Sequence, residues 1–339
     1  MGWTYEKAGI SLAKHWEMHS IAREVIHELS NELGIGLVEG GFTRSINLGN
    51  YEVTLHTDGV GTKSMVAWST GRLEAIGWDC VVGNVNDIAC DGFSPMALTD
   101  YIAISSNDAD AVGKVLRGGI RDAALRVGGA VLLGGETAIM PDLVNGIDVS
   151  CTVLGIRRVR AVGNAAPGDV VIGIESNGLH MNGYTLARKV LLGRYGMNNE
   201  VCGDELGNWL LRPTAYYGDL LTKLYGRGLI KAAVHVTGGG GFTKLRRAIG
   251  KLGGVDLEVP EPPCIFRVIK EVGNVGWDEM YRVFNMGVGL MVLTSEGGQV
   301  GGEVTSVIRE AGFNYWVLGK VTNSGGISIL MPNGVKLRL

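Results

Sequence analysis

The residues that can do chemistry gather in glycine-rich stretches that follow apolar runs. The first is Asp58-Gly59-Val60-Gly61-Thr62-Lys63, directly after the alternating run 51–57. That order predicts a strand, a tight turn and a new element. Two glycines two apart let the backbone approach a ligand and take positive φ without a Cβ penalty. Asp58 can hold a divalent cation, Thr62 offers a hydroxyl and Lys63 a point charge. With the turn's N–H groups, these are the parts a magnesium-bound polyphosphate needs. The same residues also fit a plain glycine turn.

A second set lies on the segment 72–91, whose Leu73, Ile76, Cys80, Val81, Val85 and Ile88 recur at helical spacing. Asn84, Asp87 and Asp91 fall on one face of that helix. The segment has no Lys, Arg or Glu after Glu74, so it reads as buried, and a buried carboxylate needs a cation or good hydrogen bonds. Asp87 is therefore a candidate ligand; the bland alternative is a solvated polar face. Further on, Ala130-Val131-Leu132-Leu133 reads as a short buried strand, followed by a turn with an acid, Gly134-Gly135-Glu136-Thr137.

The second half repeats strand, glycine loop and helix. The loops are Glu175-Ser176-Asn177-Gly178-Leu179-His180-Met181-Asn182-Gly183, Thr237-Gly238-Gly239-Gly240-Gly241, and Asn285-Met286-Gly287. Three such loops at strand ends could line one cleft. A helix is expected over 12–33, with Ala22, Val25, Ile26, Leu29 and Leu33 as its apolar face, then a flexible loop over 36–49. Helices over 72–91 and 109–127, strands over 96–105 and 147–156, and a C-terminal hairpin around Pro332-Asn333-Gly334 complete the outline. The basic stretch 157–169 is the best domain boundary.

Composition narrows the classes. With 339 residues, two domains are the better expectation. A net charge of −3 without a Lys/Arg block disfavours nucleic acid and anionic membranes as partners. No apolar run approaches a membrane span, and the N-terminus lacks a signal-peptide pattern, so a soluble cytoplasmic protein is expected. The five cysteines form no C-x-x-C pair; they read as small apolar residues in a reducing compartment, not as a disulfide frame or zinc site. There is no G-x-x-x-x-G-K-[ST], G-x-G-x-x-G or G-x-S-x-G motif. His15 and His19, four apart, read as a helix face.

Taken together, the motifs resemble the phosphoribosylformylglycinamidine cyclo-ligases (aminoimidazole ribonucleotide synthetases), within a wider family of ATP-dependent synthetases. The resemblance rests on Tyr5-Glu6-Lys7-Ala8-Gly9-Ile10, the Asp58–Lys63 turn, Asn86-Asp87-Ile88, the run 134–141, Gly178-Leu179-His180-Met181-Asn182-Gly183, the run 235–240 and the run 280–287. The chain departs from the family pattern at Ile139, Asp142, Asn177, Met181 and Lys244, where the family usually has Glu, Gly, Ser, Ser and Asn. It lacks the N-terminal reactive Cys of selenophosphate synthetases, the terminal Cys of the hydrogenase factor and the double Asp of thiamine monophosphate kinases.

The resemblance implies an α/β chain of α+β type with two domains. Residues 1–160 would bind ATP and dimerise through a mixed sheet, and residues 168–339 would form an α/β sandwich that binds substrate. The implied reaction turns formylglycinamidine ribonucleotide and ATP into aminoimidazole ribonucleotide, ADP and phosphate, through an iminophosphate that the amidine nitrogen displaces. It implies Mg²⁺ on Asp58, Asp87 and Glu136, with Asp100 a weaker fourth. ATP would meet Lys7, the Asp58–Lys63 turn, Asn86, Asp87 and Gly134 to Thr137. His180, Asn182 and Lys63 are the catalytic candidates. Ser176, His180, Asn182, Gly183, Thr237 to Gly240, Asn285 and Gly287 would hold the substrate. The family's homodimer is expected as well. A related small-molecule kinase and a non-catalytic nucleotide-binding homologue remain the alternatives.

Overall fold

The computed structural model describes residues 2–160, 164–238, 240–250, 253–295, 298–323 and 325–339. Two sheets carry the chain. The first orders its strands β1-β2-β3-β6-β4-β5: β1 Val38–Glu39, β2 Arg44–Leu48, β3 Tyr51–Gly59, β4 Phe93–Ile104, β5 Val131–Ile139 and β6 Ile147–Arg157. It is mixed, with β4 and β5 parallel and the other pairs antiparallel. The second is ordered β10-β12-β7-β13-β11-β14-β15. Its members are β7 Val170–Glu175, β10 Ala232–His235, β11 Gly254–Glu258, β12 Val288–Thr294, β13 Tyr315–Thr322, β14 Gly326–Leu330 and β15 Lys336–Arg338; β8 Glu200–Val201 and β9 Asp204–Glu205 form a separate hairpin. The expected mixed α/β architecture is borne out.

Helices α1 (Leu12–Leu33) and α3 (Glu74–Cys90) fall where periodicity puts them; between them α2 (Lys63–Thr70) is the new element after the glycine motif, whose Asp58 and Gly59 close strand β3 instead of forming the turn. Helix α3 lies inside, with Asp79, Asn84, Asn86 and Asp87 as buried as its apolar face. The odd-numbered residues of β6 from Ile147 to Gly155 pack on the buried side of the first sheet, as strand alternation requires. Across from α3, the helical segment 109–126 winds as a π-helix over Lys114–Arg121. Gly119 and Gly77 allow this approach: a Cβ on Gly119 would stand 2.6 Å from the Gly77 Cα.

Four expectations need correction. First, 36–49 is not a loose loop but a hairpin, held because the Asp91 carboxylate accepts the N–H groups of Gly41, Phe42 and Thr43 at 2.7–2.9 Å. Second, Gly134 to Thr137 is not a turn, and Val131 to Leu133 is not buried. Both belong to β5, the edge strand of the first sheet, which is exposed along nearly its whole length. Third, the apolar face expected on α1 is uncovered; the helix buries no residue. Fourth, four cysteines are paired, Cys80–Cys151 and Cys202–Cys264, and only Cys90 is free. Spacing could not reveal this, because the partners lie 71 and 62 residues apart in sequence.

The N-terminal segment also departs from a simple division of the chain. Residues 2–10 lie on the second half: the Trp3 N–H donates to the Gly273 carbonyl at 2.8 Å, and the Lys189 ammonium to the Ala8 carbonyl at 2.7 Å. Among the described residues no helix is long and apolar enough to cross a membrane.

The disulfides give a direct test. Thiol titration of the unfolded, unreduced chain should find one thiol rather than five. Reduction should lower the melting temperature, since closing loops of this size contributes about 4 kcal/mol each in the chain-entropy account. Five free thiols would contradict the pairing.

Candidate functional site

The site forms where α3 and the Asp58 turn meet the glycine loops of the second sheet. Four polar groups of α3 make the junction. Asp79 ion-pairs with Lys63 at 2.6 Å and accepts the Thr214 N–H at 2.7 Å. Asn86 accepts the Tyr217 N–H and donates to the Ala215 carbonyl, both at 2.8 Å. Asp87 accepts His235 Nδ1 at 2.6 Å, with His56 Nε2 3.6 Å from its other oxygen. Asn84 reaches the Asp58 carbonyl at 3.3 Å and His56 Nδ1 at 2.7 Å.

These contacts reassign several expected roles. Lys63 is fully buried. Its three N–H donors go to Asp79 and to the carbonyls of His180 and Arg212, at 2.8 and 2.7 Å. It holds the two halves together and has no donor left for a phosphate. Asn86 is likewise spent on backbone groups. Lys7 is turned to the Gly2 carbonyl at 2.6 Å. His180, expected at the reacting end, is 1% exposed at φ 58°, with neither ring nitrogen paired. Its ring fits because the facing residue is Gly289, where a Cβ would come within 2.7 Å of His180 Cε1. Burial, then the charges of His235 and Lys63, push its pKa well below the usual imidazole value, so the ring is neutral near pH 7.

The acids separate into two groups. Asp58 and Asp87 are electrostatic neighbours. Asp58 keeps solvent access, yet the protein around it and then the Asp87 charge raise its carboxyl. Burial alone would raise Asp87 too, but the His235 bond and charge, with Lys244 and His56, hold it well below the carboxylate range. Asp100 lies in register with Asp58, each opposite Cys151. Its carboxylate rests on Gly135, where a Cβ would meet Oδ1 at 2.2 Å. Glu136 pairs with Tyr101, one residue on, and so faces the other side of the sheet. The expected four-acid set therefore does not converge. Among the described residues no three His, Cys, Asp or Glu side chains come together as a metal site.

The second half supplies the rest. Asn285 accepts Ser176 Oγ and the Gly287 N–H, both at 2.9 Å, and donates to the Gly178 carbonyl at 2.8 Å. These residues fix the 176–183 loop from behind. Gly238 lies against Asn182: a Cβ there would meet Asn182 Oδ1 at 2.6 Å, while Asn182 Nδ2 is buried without a partner. Thr237 Oγ1 accepts the Lys244 ammonium, whose charge acts on both Asp87 and Asp58. Gly239 lies outside the described residues. Sequence reasoning missed Lys244 and His235 as site residues. The signal for both was their place within or just after the 235–240 motif.

With this geometry in view, the family follows from comparison. The model of the AIR synthase related protein N-terminal domain matches residues 42–157, and that of the C-terminal domain matches residues 166–331. The phosphoribosylformylglycinamidine cyclo-ligase of Saccharolobus solfataricus is 38% identical over 99% of this chain and 98% of its own. That of Pyrococcus furiosus is 38% identical over 98% and 99%. The chain belongs to the AIR synthase related family. The resemblance carried by the motifs is thereby borne out. Solved relatives are more distant: hydrogenase maturation protein HypE in complex with ATP superposes with a TM-score of 0.64 at 18% identity, covering 87% of this chain and 86% of that one. T. maritima PurL complexed with ATP gives 0.58 at 15%, covering 87% and 45%. At these identities the superpositions establish the shared fold.

The Lys63–Asp79 pair carries a stability prediction. Asp79→Ala leaves a buried ammonium uncompensated and should cost about 3–5 kcal/mol in urea unfolding. Pairing it with Lys63→Met should recover most of that loss. A double variant no more stable than Asp79→Ala alone would refute the assignment.

Proposed function

We propose that the chain catalyses the ATP-dependent closure of formylglycinamidine ribonucleotide to aminoimidazole ribonucleotide, with release of ADP and phosphate, as a step of purine synthesis. The observation that carries this reading is the meeting, at one junction, of the Asp58/Asp87 pair from one half with Lys244, Thr237 and Asn182 from the other, in a chain of cyclo-ligase kinship over its full length. The amide oxygen of the substrate leaves poorly until it is phosphorylated. Catalysis is then chiefly positioning and the cancelling of charge on the moving phosphoryl.

The residues divide this work. Asp58 and Asp87 suit Mg²⁺, which commonly takes one or two carboxylates and fills its remaining positions with phosphate oxygens and water. When bound, the ion would neutralise charge on the polyphosphate. His235 keeps Asp87 ionised in a buried setting, and Gly59 at the end of β3 with Gly61 in the turn after it would give the nucleotide close access to backbone. Asn182, with an amide group that no protein atom satisfies, is the donor we assign to the substrate's amide oxygen. His180 shapes this loop from inside rather than exchanging protons with the substrate.

The outer face of the first sheet fits a homodimer. It presents Leu55, 70% exposed, and Tyr101 beside the exposed edge strand β5. Apolar surface and an unpaired edge of this kind invite a second copy. Leu55→Glu should shift the chain toward monomer in sedimentation analysis; an unchanged monomer–dimer balance would remove this face as the contact.

The reaction is tested by measuring ADP release from Mg-ATP with and without formylglycinamidine ribonucleotide, while following aminoimidazole ribonucleotide. Release that requires the substrate and equals product is expected. Asp58→Asn should reduce kcat by about a hundredfold or more, and a chelator should stop turnover. ADP without the ring product would move the assignment to a kinase, and binding without turnover to a non-catalytic homologue.

A further inference from the structure

A cavity of about 880 Å³ lies between the start of α1, the N-terminal segment and the helical segments 241–249 and 277–283. Its walls carry Arg23, Lys244, Arg246, Arg247 and Arg282, against the acids Glu6 and Glu279. Some of these charges already have partners. Glu279 accepts the Tyr5 N–H at 2.5 Å, Arg282 bonds Asp278 at 3.3 Å, and Arg246 bonds the Leu339 carbonyl at 3.1 Å.

Lys244 and Arg247 are placed differently. Both stand over the ring of Phe42, at 5.6 and 4.8 Å from its centre. Phe42 is itself fixed, since Asp91 holds its N–H at 2.8 Å. Burial, and then the Arg247 charge, push the Lys244 ammonium down to about 8 despite the pull of Asp87 and Asp58. Two cations held against one ring on a basic concave wall repel each other until an anion lies between them. A guanidinium fork beside a point charge matches the oxygens of a phosphate, and the cavity has the size of a small-molecule site. Lys244, which lines this cavity, also bonds Thr237 at the junction described above and so links the two.

We propose that this cavity binds the phosphate monoester of the substrate, gripped by Lys244 and Arg247, so that the reacting end extends toward Asn182 and the Asp58/Asp87 pair. This rests on the ring-closure reading for the substrate's identity, but not for the class of ligand. It also places the phosphate contact on side chains just beyond the 237–240 loop that the resemblance implies for the substrate.

The test uses the full chain with ribose 5-phosphate as probe, and ATP as control, in calorimetric titrations. Arg247→Ala should weaken ribose 5-phosphate about ten- to a hundredfold, leave ATP within twofold, and raise the KM for formylglycinamidine ribonucleotide more than it lowers kcat. Arg247→Lys, which keeps charge and fold, should recover part of the affinity. Unchanged ribose 5-phosphate binding in Arg247→Ala would overturn the proposal, and so would a loss of ATP affinity in its place. Should the wild type make no ring product yet bind ribose 5-phosphate through Arg247, the cavity stands and the ring-closure reading falls. If product forms with an unchanged KM in Arg247→Ala, the cavity assignment alone falls.

Discussion

A carboxylate cannot be buried without a partner, and α3 buries two. Removing an ion of this size from water costs several kcal/mol even after relaxation, so Asp79 and Asp87 each need a partner. Their partners come from outside the helix: Lys63 and the Thr214 N–H for one, His235 for the other. Thr214 and His235 belong to the second half of the chain. The two sheets are therefore docked by polar groups that must be satisfied, and Asn86 adds two bonds to backbone in the same seam. Apolar surfaces tolerate some sliding. A half-satisfied buried network does not, so this seam fixes one relative position of the two halves.

That constraint explains how charge is distributed at the site. Lys63, from its motif the obvious cation for a phosphate, is drawn inward because Asp79 needs it. Cation density near the Asp58/Asp87 pair comes instead from Lys244, on the other half. Its ammonium rests on Thr237 and is half-buried rather than sealed. The inward lysine holds the frame, and Lys244 brings its charge to the two acids. The exchange of roles follows from which carboxylate each can reach.

The sequence was informative where pattern and burial agree. The helical period of α1 and α3, the strand before the Asp58 turn and the C-terminal hairpin all appear as expected, since each is set by local spacing. The lack of Lys, Arg and Glu on α3 after Glu74 correctly marked it as buried. What stayed hidden depends on residues far apart in the chain. The Asp91 clasp on Gly41 to Thr43 spans about fifty positions, the cysteine pairs span more, and the inward turn of Lys63 depends on the Arg212 carbonyl. Strand β5 misled for another reason: an apolar run signals burial, yet this one lies at the edge of the first sheet and is exposed along nearly its whole length.

The glycines of the second half show the same division. Gly238, read as a loop residue, and Gly289, inside strand β12, are each required by a neighbour brought up from elsewhere. A Cβ on Gly289 would collide with the Tyr217 hydroxyl and His180, and one on Gly238 with Asn182. The motif thus records close packing around a buried imidazole as much as any contact with a ligand. His180 is kept neutral and unpaired in that packing. An imidazole fixed in this way sets the path of the 176–183 loop, and the path of the loop decides where Asn182 presents its amide. Substitutions at Gly289 therefore act on the position of Asn182 at a distance, through the packing around His180. The seam along α3 acts at longer range, because only the docked arrangement brings Lys244 to the acids.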